Sequence, residues 1–98
     1  MDEADWLFTA MNVLKEPRSI ILYSRALCGW CIDAKEWLDR MAWQYTVRDT
    51  GKDRLARERA AELSGQPCVP VIEIDGLVLG DFDTGQLEAF LKQHGYLA

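Results

Sequence analysis

Cysteine and proline are scarce in this 98-residue chain, three of each, and histidine occurs once. Three cysteines are too few, and odd in number, for the disulfide scaffold of a small secreted domain. Long apolar runs are missing as well. The longest unbroken aliphatic and aromatic stretch, Ile20 to Tyr23, is far too short to cross a bilayer. The chain opens with Asp2, Glu3 and Asp5, where a secretory signal needs positive charge and then an apolar stretch, so a cytoplasmic location is expected. Basic charge is short too. Eleven bases face sixteen acids, a net charge of −5, and phosphate recognition needs a basic field, which argues against nucleic acid as the main partner. No repeat, low-complexity tract or linker interrupts the chain. What is there is an ordinary globular composition, 49% apolar and 28% charged. A chain of this length holds one core and not two, so one domain is expected over 1–98, a 1–16 helix and an 18–93 core, as a monomer. In a reducing compartment its cysteines are chemical rather than structural.

Periodicity places the elements. Asp2 to Glu16 carries Trp6, Leu7, Ala10, Met11 and Leu14 at helical spacing, and Pro17 stops it. Ser19 to Ser24 is a continuous β-branched and apolar run, the mark of a buried strand. Gly29 to Met41 returns to helical spacing through Ala34, Trp37, Leu38 and Met41, and Trp43 to Arg48 reads as a second strand. Asp49, Thr50 and Gly51 offer turn and capping chemistry ahead of a charged helix, Lys52 to Leu63, closed by Ser64 and Gly65. Val69 to Ile74 and Leu77 to Leu79 flank Asp75-Gly76, a two-residue hairpin signal, and Thr84 to Gln93 is the last helix. The order α-β-α-β-α-β-β-α makes the first two strands parallel with a right-handed crossover and the last two an antiparallel hairpin. An α/β fold with one mixed four-stranded sheet flanked by helices satisfies it.

Cys28-Gly29-Trp30-Cys31 falls between a strand and a helix. A sulfur ahead of a helix faces unpaired backbone N–H groups that stabilise a thiolate, and a cysteine one turn on can reach back to it. A free cysteine is only ~3% thiolate at pH 7. Lowering its pKa by about 1.5 units takes roughly 2 kcal/mol, more than the ~0.3–1 kcal/mol of a helix terminus. Hydrogen bonds to sulfur or a nearby cation must add the rest, and Arg25 stands three residues upstream. Cys28 is then the attacking thiolate and Cys31 the more buried, resolving thiol. A zinc site would need two further ligands from Cys68 and His94, which lie on separate elements without paired spacing, so the redox reading is preferred. Pro67-Cys68-Val69-Pro70 opens the third strand. Pro70 either marks a strand's first residue or forms a cis bond that turns the backbone groups of Val69 outward toward an incoming peptide.

These segments resemble the glutaredoxin family. YSRALCGWC, Tyr23 to Cys31, is similar to its strand-end, Lys/Arg, C-x-x-C segment, and CVP, Cys68 to Pro70, to its Thr-Val-Pro. The resemblance covers about residues 18 to 93 and implies the thioredoxin-like fold with an extra N-terminal helix. It implies a thiol–disulfide oxidoreductase acting on protein disulfides or glutathione mixed disulfides, with glutathione as co-substrate and no tightly bound cofactor. Cys28 carries the mixed disulfide, Arg25 holds the glycine carboxylate of glutathione, Val69 before a cis Pro70 pairs with its cysteine backbone, and Trp30 covers the site.

Three departures qualify the match. Gly29 replaces the usual proline, as in some relatives that hold a 2Fe–2S cluster between subunits, so a cluster carrier is an alternative. Cys68 replaces threonine, and is expected either as a small buried packing residue, the commoner fate of a free cysteine, or as a third thiol near Cys28. The family's Gly-Gly-polar-Asp at the last helix becomes Gly80-Asp81-Phe82-Asp83. Asp81 opposes the α-carboxylate of glutathione, whereas Asp83 and Thr84 are left to meet its ammonium. Phe82 followed by Leu87 resembles redoxins that thioredoxin reductase serves, a second alternative. Arg54, Arg57 and Arg59 among Asp53, Glu58 and Glu62 read as a solvated helix face. Trp37 and Trp43 read as core, and Trp6 and Phe8 as a contact with the sheet or with a second copy.

Overall fold

The computed structural model describes residues 3–98. Four strands, β1 (Ile20–Ser24), β2 (Thr46–Asp49), β3 (Val71–Ile74) and β4 (Leu77–Gly80), form one sheet in the order β2-β1-β3-β4. β1 runs parallel to β2 and antiparallel to β3, with Leu22 opposite both Val47 and Ile72. Asp75 and Gly76 both take positive φ, 50° and 87°, the geometry of a type I′ hairpin turn. The helices are α1 (Glu3–Met11), α2 (Gly29–Arg40), α3 (Arg54–Ser64) and α4 (Thr84–Gln93). This is the mixed sheet expected from the element order.

Strand alternation divides the core. Ile20 and Leu22 of β1 with Ile72 and Ile74 of β3 meet Ala34, Trp37 and Leu38 of α2 and Leu87, Phe90 and Leu91 of α4. The intervening positions, Tyr23 and Val71, turn to the other face against Ala56 and Ala60 of α3. The period of two thus sorts each strand between two helical layers. Trp37 and Trp43 meet edge-on, ring centroids 5.6 Å apart, as core aromatics. Gly80 is required where α3 crosses β4, because a Cβ there would come within 2.7 Å of the Ser64 Cβ.

Several boundaries move for identifiable reasons. α1 ends at Met11 and not at Glu16; the expected start at Asp2 lies outside the described residues. The C-terminal tail claims the segment beyond: Val13 bridges Leu97, and the Leu14 N–H donates to the Tyr96 carbonyl at 2.8 Å. Asn12 closes the helix by donating its side-chain amide to the Phe8 carbonyl at 2.7 Å. Trp6 is half-buried and Phe8 is 68% exposed, so the apolar stripe of α1 is only partly covered. β2 begins at Thr46 because Trp43 is drawn into the core. α3 is capped by Asp53, which accepts from the N–H groups of Leu55 and Ala56, not by the Asp49–Gly51 turn. Asp49 instead folds that turn, accepting from Gly51 at 2.8 Å. β3 starts at Val71, since Pro70 brings no N–H to the ladder.

Candidate active site

The chain leaves β1 at Ser24, which is buried and anchored by Thr50: both the N–H and the hydroxyl of Thr50 donate to the Ser24 carbonyl, at 2.8 and 3.2 Å. Arg25, Ala26 and Leu27 make the turn, and Leu27 closes it in the left-handed region with φ 61°. Cys28 follows as the N-cap of α2 in extended conformation, φ −103° and ψ 109°. Its Sγ accepts from the Cys31 N–H at 3.2 Å, so a backbone donor at the positive end of the helix is aimed at the sulfur.

The cysteines are joined as a disulfide with their Cα atoms 5.2 Å apart. Cys28 is half-buried, whereas Cys31 is fully buried. That asymmetry is the one expected of an entering and a resolving sulfur. Trp30, between them, is 50% exposed.

The Val69–Pro70 peptide bond is cis, and the Val69 carbonyl oxygen lies 4.0 Å from Cys28 Sγ. The loop before it is shaped by Gln66, whose side chain accepts from the Cys68 N–H at 2.6 Å and donates to the Cys68 carbonyl at 2.9 Å. Held in this way outside the ladder, Cys68 is exposed. The expectation of a buried packing residue is therefore corrected: the segment joins the sheet only at Val71, so position 68 has no core to enter. Beyond the proline, the Asp81 N–H donates to the Pro70 carbonyl at 2.8 Å with Asp81 in the left-handed region, φ 53°.

A recess of about 200 Å³ adjoins this loop, lined by Arg25, Thr50, Gly51, Arg57, Ala60, Pro67 and Val69. The structure thus brings Arg25 and Val69 together and adds Arg57, which reads as solvated surface from charge alternation alone. Arg57 reaches the recess from α3, its Nη1 donating to the Thr50 carbonyl at 3.5 Å. Neither Arg25 nor Arg57 has an ion-pair partner among the described residues. Two guanidiniums without ion-pair partners beside one recess suit a carboxylate.

Asp83 and Thr84 sit apart from that recess. Asp83 caps α4, accepting from the Gln86 N–H at 2.8 Å while its own N–H donates to Gln86 Oε1 at 2.9 Å. This capping box engages the backbone N–H and Oδ1 of Asp83, while the residue stays exposed. Thr84 lines a different recess of about 240 Å³, between α2 and α4, with Asp33, Glu36, Trp37 and Arg40. Phe82 is 1% exposed and belongs to the core, not to a contact surface.

The clearly shifted ionisable groups lie away from the dithiol. Asp75 is lowered chiefly by the Tyr96 hydroxyl, which donates to it at 2.6 Å, and Tyr96 is in turn raised to about 12. Burial and the Asp39 carboxylate push Tyr45 to about 12. Among the described residues no three His, Cys, Asp or Glu side chains converge as metal ligands, and no helix is long and apolar enough to cross a membrane.

A dithiol at a strand-to-helix turn, facing a cis-proline on a four-stranded mixed sheet, defines a thiol–disulfide redox protein of thioredoxin-like fold. The family model described as glutaredoxin matches residues 20–79. A glutaredoxin-like 8.6 kDa protein in the rubredoxin operon of Clostridium pasteurianum is 31% identical over 74 residues, 76% of this chain and 99% of that protein. A glutaredoxin of Ricinus communis is 30% identical over 97 residues, 89% and 95% of the two chains. The crystal structure of the thioredoxin-like protein BC3987 superposes with a TM-score of 0.67 at 30% identity, covering 74% of this chain and all of its own, 100%. The chain belongs to the glutaredoxin family.

Proposed function

We propose that this protein reduces protein disulfides and glutathione mixed disulfides through Cys28, with glutathione as the electron donor. The observation that carries the reading is the placement of Cys28 Sγ: it receives the Cys31 N–H at 3.2 Å and lies 4.0 Å from the Val69 carbonyl beside cis Pro70. The Cys28 thiolate attacks the substrate disulfide, forming a mixed disulfide and expelling one thiolate. The Cys31 thiolate then displaces the second substrate thiol and leaves the Cys28–Cys31 disulfide; for a glutathione adduct, a second glutathione can displace Cys28 instead. Arg25 and Arg57 receive the glycine carboxylate, and Val69 presents its backbone to the substrate cysteine. Trp30 screens the sulfur. At the γ-glutamyl end Asp83 keeps Oδ2 outside its cap for an ammonium, and Asp81 repels a carboxylate.

The test offers the oxidised protein NADPH with either glutathione and glutathione reductase or thioredoxin reductase. NADPH consumption by the glutathione system, abolished by Cys28→Ser, is expected. Consumption with thioredoxin reductase alone overturns the assignment of the electron donor. Persistent disulfide reduction by Cys28→Ser overturns the mechanism.

A further inference from the structure

Leu27, immediately before Cys28, is 101% exposed and holds φ 61°. An L residue with a full side chain enters this region only against steric strain, and glycine or asparagine are its usual occupants. The turn thus spends stability to present an apolar side chain to water, next to the nucleophile. Two residues past Cys28, Trp30 is 50% exposed. Across the site lie the half-buried Val69 and the exposed Pro67. Val69 and Pro67 also line the recess of Arg25 and Arg57, both without ion-pair partners among the described residues although the chain is acidic overall, net −5.

We propose that Leu27 and Trp30 form the docking platform for a protein substrate, an extended segment with an apolar side chain next to its disulfide cysteine and a carboxylate within reach of Arg25 and Arg57. The proposal rests on the oxidoreductase reading above and names its substrate class. Two features choose the occupant. The two guanidiniums, neither in an ion pair, call for an anionic group, and the exposed leucine calls for an apolar neighbour that glutathione, with no apolar side chain, does not provide. Charge complementarity steers and orients the segment; covering the leucine gives it preference over small disulfides. The electron balance is that of the proposed reaction: the Cys28 and Cys31 thiols are oxidised to the disulfide, and the substrate disulfide takes up two electrons and two protons to give two thiols.

The experiment uses pre-reduced protein in single turnover, so that no further reductant is needed, against synthetic peptide disulfides and bis(2-hydroxyethyl) disulfide. One peptide carries leucine beside the cysteine and a nearby aspartate; its partners replace leucine by serine, or aspartate by lysine. The wild-type protein is expected to reduce the leucine–aspartate peptide about tenfold faster than either partner, the factor that partial burial of a leucine side chain supplies against serine and that charge reversal beside Arg25 and Arg57 supplies against lysine. In Leu27→Asn, which suits the left-handed turn, the rate on that peptide relative to bis(2-hydroxyethyl) disulfide falls about tenfold. Equal rates on the three peptides, or an unchanged ratio in Leu27→Asn, overturn the inference. Failure of the wild-type protein on bis(2-hydroxyethyl) disulfide itself overturns the underlying oxidoreductase reading instead.

Discussion

Phe82→Ala separates a core role from a partner-surface role for this aromatic residue. Phe82 is 1% exposed and shares a cluster with Ile72 of β3 and Leu87, Phe90 and Leu91 of α4. Truncation there removes buried ring surface and leaves a cavity, a loss of about 3–5 kcal/mol. A domain of this size has a total stability of roughly 5–15 kcal/mol, so the change takes about a fifth or more of it. The melting temperature falls by about 12 °C or more, at ~4–8 °C per kcal/mol. Urea unfolding followed through the fluorescence of buried Trp37 and Trp43 measures the effect as a lowered midpoint at constant slope. A loss below about 1 kcal/mol, the ordinary range for surface sites, accompanied by lost turnover would refute the reasoning. It would place Phe82 at a partner surface.

Two further predictions concern the hairpin carboxylate Asp75 and the first residue of α2. Asp75 accepts from the Arg18 and Ser19 N–H groups and the Tyr96 hydroxyl, which lower its pKa from the ordinary 3.8; its contribution is fully present above that value and is lost as pH falls through the lowered folded value. Asp75→Asn is therefore expected to lower stability at pH 7 and flatten its acid dependence, measured by urea titrations from pH 7 to pH 2; an unaltered pH profile contradicts this. Gly29 is the first residue of α2, a Cβ there meets nothing within 4 Å, and Cys28 before it is extended at ψ 109°. Proline suits both positions, so Gly29→Pro is expected to stabilise the protein by about 0.4–1 kcal/mol, and a lowered urea midpoint counts against it.

The strands, the parallel and antiparallel pairings and the placement of the dithiol were legible because each rests on local pattern: alternation in β1, the Asp75-Gly76 turn, a C-x-x-C before a helical period. What escaped depends on distant partners. Nothing in residues 12–16 says that Tyr96, Leu97 and Ala98 will take their backbone groups away from α1, and Trp43 leaves β2 because Trp37 lies across from it. Arg57 sits in an alternating charged run that looks like any solvated face, and only the crossing of α3 beside Thr50 turns it toward the recess. Cys68 follows the burial habit of cysteine only if a core faces it, and here the Gln66 bracket holds it exposed ahead of the sheet. The positive φ of Leu27 is not written in its residue type.

The most direct test of the account is to map where a disulfide substrate first attaches. Reduced Cys31→Ser, exposed to glutathione disulfide and examined by peptide mass mapping, is expected to trap one glutathione on Cys28, with the exposed Cys68 reacting more slowly. An adduct confined to Cys68, or no adduct on Cys28, would contradict the claim that the N-cap sulfur of α2 is the nucleophile.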